Sequence, residues 1–149
     1  MNFPYSSVIL ADPQSGDFAL THRPEIPITI SGPNGSVALI GLVDTGSDFS
    51  IFPQAIAELL GIGLLPIANR GASVFGGSPV PLLSGTATLT VEQDDESLRW
   101  ETSVEFFDFG HESDTTAILG YSGFLEFFTA IFDGDSLLLS LLANQNLPA

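Results

Sequence analysis

The sequence has no cysteine and no lysine, and only three of its 149 residues are basic: Arg23, Arg70 and Arg99. Without cysteine there are no disulfides, thiolate metal sites or cysteine nucleophiles. Without lysine there is neither a Schiff base nor a P-loop lysine. Against 18 acidic residues, three cations leave a net charge of −15. Such a chain has almost nothing with which to replace the counterions of a phosphate backbone, so no nucleic-acid partner is expected. No run approaches the ~20 apolar residues of a membrane helix, so no membrane partner is expected either. Met1 to Leu10 has no basic n-region and only a short apolar run, Val8-Ile9-Leu10. It does not read as a secretory signal, and the cytoplasm is the expected location. His22 and His111 stand singly in loop-like segments. With no second histidine or cysteine beside either, no metal and no cofactor is expected.

What is present is apolar. Hydrophobic residues make up 44%, with 12 phenylalanines and a mean hydropathy of +0.35. Disordered acidic chains lack that content, so the chain reads as one folded domain. Residues 1–25 read as an irregular N-terminal arm, broken by Pro4, Pro13, Gly16 and Pro24. Residues 26–142 form the domain, and 143–149 a polar tail.

Within the domain, 26–30 and 36–43 read as a hairpin turned at Pro33-Asn34-Gly35. A short helix is expected over 53–60, where Pro53 suits the first turn, Ile56, Leu59 and Leu60 share a face, and Gly61 caps the end. Residues 64–68 suit another strand, and 71–83 a second hairpin tipped by Gly76-Gly77-Ser78. Period-two alternation marks 86–91 and 98–106 as strands. A strand at 116–119, one or two helical turns at 123–128, and strands at 129–132 and 136–142 complete the pass. The acidic groups Asp94-Asp95-Glu96 and Asp133-Gly134-Asp135 fall at turns between strands. Strands dominate, so the predicted class is all-β: a closed barrel or sandwich with one or two short helices.

The segment that carries chemistry is Leu42-Val43-Asp44-Thr45-Gly46-Ser47. An ionisable side chain follows a wholly apolar strand and is expected at its buried end. Gly46 then lets backbone N–H groups approach the carboxylate. Two such carboxylates facing one another share a proton and activate a water as general base and general acid. The same four residues are also ordinary turn residues. Two further features follow in order: the glycine-tipped hairpin Val74-Phe75-Gly76-Gly77-Ser78, and the apolar strand Ala117-Ile118-Leu119-Gly120 leading into Gly123-Phe124-Leu125. Each reads equally as a plain hairpin turn and a plain core strand.

Taken together, Asp44-Thr45-Gly46-Ser47, the glycine hairpin at Phe75 to Ser78, and Ile118-Leu119-Gly120 resemble the retropepsin-like aspartic proteases, of the small bacterial single-domain type. The resemblance spans about residues 26–142. It implies an endopeptidase acting on peptides or proteins. With one Asp-Thr-Gly loop in a short chain, it implies a homodimer in which two copies of Asp44 meet at a two-fold axis. The catalytic set would be Asp44, Thr45, which would brace the loop by hydrogen bonding across the axis, and Gly46, whose backbone would bind the substrate backbone. Ser47, Asp48, Phe75, Gly76, Gly77 and Ile118 would bind substrate, which the hairpin would cover as an added strand. Asp48 matches the acid that in the family holds substrate or dimer. Viral members often place an arginine just after the position of Gly120; here Tyr121-Ser122 follow. Ser47 stands where many viral members have alanine, and its hydroxyl is expected to bond the charged form of Asp44.

Two other functions compete. The same fold without catalysis serves as a dimerisation or peptide-binding module. An acidic nucleic-acid mimic would need carboxylates in a phosphate-like array, whereas the acids here are scattered and several are turn residues.

Overall fold

The computed structural model describes residues 1–73, 79–110 and 116–149 and, of 68–73 and 79–81, the backbone alone. Its centre is a ring of strands. β4 (Glu25–Gly32) turns at Pro33-Asn34 into β5 (Gly35–Val43), with Gly32 paired to Gly35 across the turn. β5 lies parallel to β10 (Thr116–Leu119), and β10 is antiparallel to the short β6 (Ile51–Pro53). β6 runs parallel to β9 (Glu96–Phe107), which forms a long hairpin with β8 (Pro79–Gln93). β8 returns to β4 through Thr29↔Thr90, Ile30↔Leu89 and Ser31↔Thr88, which closes the ring. β7 (Leu65–Ser73) extends it from β8. The all-β barrel expected from the alternation is therefore the fold.

The alternation also says what is inside. Ile26, Ile28 and Ile30 from β4, Leu89 and Val91 from β8, and Trp100, Val104 and Phe106 from β9 are all buried in one core. The period-two pattern of β9 breaks at its end, where Glu105 and Phe107 are buried as well. There β9 pairs with β6 in parallel, and the chain beyond β6 lies against it.

That chain is α1 (Gln54–Leu60), the predicted helix. It buries Ile56, Ala57 and Leu60, and ends at Gly61 in the left-handed region (φ 66°). That positive φ is what favours glycine there; a Cβ would first meet the Asn34 side chain, with Nδ2 at 2.6 Å. The predicted helical turns at 123–128 are a single 3-10 turn, Leu125–Phe127.

Outside the ring lies a three-stranded sheet in the order β1 (Asn2–Pro4), β12 (Leu138–Ala143), β11 (Phe128–Asp133). Phe3, Leu139 and Leu141 face the core. The turn between β11 and β12 is knotted by Asp133. Its Oδ1 accepts from the backbone N–H groups of Asp135 and Ser136 at 3.0 Å each, and its Oδ2 from the Ser136 hydroxyl at 2.8 Å. These bonds, led by the Ser136 N–H, hold the carboxyl below its ordinary value of 3.8. A group whose folded pKa is depressed stabilises the fold above 3.8 and loses that contribution as pH falls through the folded value. Asp133→Asn is therefore expected to melt earlier than wild type at neutral pH, and the gap should close below pH 3.8 in a series of thermal melts.

The N-terminal segment is not irregular, as its prolines and glycine had implied. β1 is followed by a hairpin, β2 (Ser6–Ala11) paired with β3 (Phe18–Arg23). Pro13 and Gly16 do not interrupt these strands, because both lie in the turn between them. Gly16 takes φ 72°, and Asp12 accepts from Gln14 N (2.8 Å) and Ser15 Oγ (2.9 Å).

Candidate active site

Asp44 stands one residue past the end of β5. Its backbone N–H donates to Leu119 O (3.0 Å), so the parallel pairing of β5 and β10 continues by one step beyond the strands. The parallel ends of two central strands therefore fix where this carboxylate begins. The carboxylate folds back on its own turn: Oδ1 accepts from Gly46 N–H at 2.8 Å, and Ser47 N–H donates to Asp44 O at 3.2 Å. Asp44 is half-buried, while Thr45, Gly46 and Asp48 are exposed. The expected burial of Asp44 at the strand end is thus partial: the core closes behind its backbone, and its turn opens outward.

The rest of the loop is stitched to the chain after β10. Tyr121 N–H donates to Ser47 O and Ser122 N–H to Asp48 O, both at 2.9 Å. Phe49 and Ser122 form a parallel bridge, and Ser50 N–H donates to Ser122 O at 2.9 Å. Gly120 makes this approach possible. A Cβ at that position would sit 2.3 Å from Phe49 O and 2.7 Å from Ser47 O.

Ser50 is the residue that sequence reasoning missed. It is fully buried, its Oγ accepts from Gly120 N–H at 3.2 Å, and its carbonyl accepts from Glu105 N–H at 2.9 Å. One serine therefore ties the loop, the end of β10 and β9 together. The available signal was a lone hydroxyl in the apolar run Phe49-Ser50-Ile51-Phe52. Beneath the turn after Gly120, Trp100 Nε1–H donates to Gly123 O (3.1 Å), and its ring packs edge-on against Phe127 and Phe128.

The Ser47 hydroxyl does not bond Asp44, contrary to expectation. It donates to Phe49 O at 2.7 Å, which commits its one proton to the loop backbone. Ser47→Ala is accordingly expected to lower stability by about 1 kcal/mol, the worth of one such bond. The pH profile of any cleavage should be unchanged; an alkaline shift of the optimum would restore the role first expected of it.

The structure brings Asp44, Thr45, Gly46, Ser47 and Asp48 together on one loop. It places Ile118 beside them, half-buried and paired with Leu42 and Ile51. Phe75, Gly76 and Gly77 lie outside the described residues; the strands leading to them pair as far as Ser73↔Pro79. A cavity of about 400 Å³ lined by Ser31, Thr86, Thr88, Arg99 and Glu101, among others, contains none of these site residues. Among the described residues, no helix is long and apolar enough to cross a membrane.

No protein-family model matches the chain, and no curated protein does. Solved structures do. The chain is similar to the EIAV protease complexed with the inhibitor HBY-793, at 23% identity over 66% of this chain and 81% of that one, with a TM-score of 0.40. It is similar to a retropepsin-like aspartic protease from Rickettsia conorii, at 21% identity over 92% and 98% of the two chains, TM-score 0.45. It is also similar to the retroviral protease-like domain of Ddi1 from Leishmania major, at 15% identity over 82% and 97%, TM-score 0.39. These are likenesses of fold, and the chemistry rests on the residues of the loop itself.

Proposed function

We infer that this chain is an aspartic endopeptidase that works as a homodimer. The observation that carries the reading is the Asp44 turn. The Asp44 backbone N–H is anchored on Leu119 O and its carboxylate accepts from Gly46 N–H, on an outward-facing loop at the end of two parallel strands. A single carboxylate cannot act as acid and base at once, and a second copy of Asp44 across a two-fold axis supplies the other.

With one proton shared between them, the ionised Asp44 takes a proton from a water held between the pair. The water oxygen attacks the peptide carbonyl carbon, and the protonated Asp44 donates its proton to the carbonyl oxygen. The product is a neutral gem-diol. In collapse, the carboxyl that gained the water's proton passes it to the leaving nitrogen. The other carboxylate recovers a proton from the diol, and the C–N bond breaks. Asp48, on the loop, and Ile118, beside it, contact the peptide on either side, and Phe75, Gly76 and Gly77 contribute to holding it.

The test is digestion of a mixed peptide library between pH 4 and 7, with Asp44→Asn as control. Cleavage present in wild type and lost in the variant supports the reading. No cleavage by a protein that sediments as a dimer favours a silent peptide-binding or dimerisation module.

Charge bears on assembly. Two copies at −15 each repel one another at neutral pH and low salt. The dimer is expected to tighten at pH 4.5 and in high salt, and a sedimentation series in which it did neither would count against that.

A further inference from the structure

We propose that the β2–β3 hairpin is an arm with which one copy of this chain grips a second copy. This rests on the homodimeric reading of the Asp44 site. Ile9 is 69% exposed, Phe18 77% and Leu20 63%. The register pairs Ile9 with Leu20 and Ala11 with Phe18, so all four side chains share one face. The hairpin forms a two-stranded sheet of its own. An isolated hairpin is marginal in water, and an apolar face of this kind on so small a sheet calls for a cover.

The occupant follows from where the hairpin is rooted. β3 ends at Arg23, and Pro24 O accepts from Val43 N–H at 2.9 Å, one residue before Asp44. At its other end, Tyr5 N–H donates to Leu137 O, which ties the chain before β2 to the outer sheet. If two Asp44 residues meet across an axis, that axis passes beside the hairpin's root in both copies. Each strand has six residues, so the arm reaches about 20 Å. The surface of the partner copy lies within that reach. Charge argues the same way. Two chains at −15 need apolar contact to offset their repulsion, and on this hairpin the acids Asp12 and Asp17 are confined to the turn at its tip.

The triple variant Ile9→Ser, Phe18→Ser, Leu20→Ser removes the apolar face without touching the core, and sedimentation equilibrium of the full chain reads its effect. The expected result is a dimer at least a hundredfold weaker than wild type, with an unchanged near-ultraviolet circular dichroism spectrum from the buried aromatics. A second variant, Phe18→Cys, carries the chain's only thiol and takes a polarity-sensitive dye. Its emission should shift to the blue as concentration passes through the dimerisation range. A triple variant that dimerises as tightly as wild type, with dye emission independent of concentration, overturns the arm and leaves the homodimer standing. An unchanged dimer with a raised KM for peptide also overturns it, because the face would then hold substrate. A wild type that stays monomeric at every concentration overturns both readings.

Discussion

Asp44→Asn is expected to lower cleavage by about a thousandfold or more, the scale on which a general acid–base pair acts, while leaving the fold intact. The two effects separate because the turn needs only an acceptor at this position. Asp44 Oδ1 takes the Gly46 N–H at 2.8 Å, and an asparagine carbonyl oxygen takes the same bond. What the amide cannot do is accept a proton from water. Circular dichroism and melting temperature should therefore match wild type when turnover has gone. Mixing gives the sharper form of the test. If one active centre needs an Asp44 from each copy, equal amounts of wild type and variant, exchanged to equilibrium, leave about a quarter of dimers with two aspartates. Activity should then fall to about a quarter of that of the same total protein, all wild type. A fall only to one half would mean that each copy holds a complete centre, and the shared-carboxylate mechanism would fail.

The parts of this molecule that impose a pattern on the sequence were readable from it. β4, β8 and β9 each press one face onto the core, so every second residue is apolar and the strands declare themselves. α1 announces its ends with Pro53 and Gly61. The Asp44 loop stood out because a carboxylate follows an apolar strand without interruption. The β2–β3 hairpin did not, for a physical reason. Ile9, Leu10, Phe18 and Leu20 are all exposed, so no buried face filters the sequence into alternation. Ser-Val-Ile-Leu-Ala is then an apolar run with no period, and Pro13 and Gly16 look like breakers rather than the turn they make. Ser50 was invisible for a different reason. Its partner Gly120 is 70 residues away, and only the closed ring brings them together.

That long-range contact carries the second large effect. Gly120→Ala is expected to destabilise the protein by about 3 kcal/mol or more, the combined scale of an overpacked site and its lost hydrogen bonds. The added Cβ would lie 2.3 Å from Phe49 O and 2.7 Å from Phe49 C and Ser47 O. All three are backbone atoms of the loop that carries Asp44, so no side chain can rotate out of the way. The chain must separate at its tightest seam, and the bonds across that seam stretch with it: Tyr121 N to Ser47 O, Ser122 N to Asp48 O, and Gly120 N to Ser50 Oγ. For a chain of this size the melting temperature should fall by roughly 10 °C. The control is Gly134→Ala, where a Cβ meets nothing within 4 Å, and no such fall is expected. Well below the melting transition, Gly120→Ala should also lose activity, because the atoms it displaces belong to the loop that carries the carboxylate. A Gly120→Ala protein that melts with wild type would mean that the loop and the end of β10 do not meet this closely, and the placement of Asp44 would have to be rebuilt.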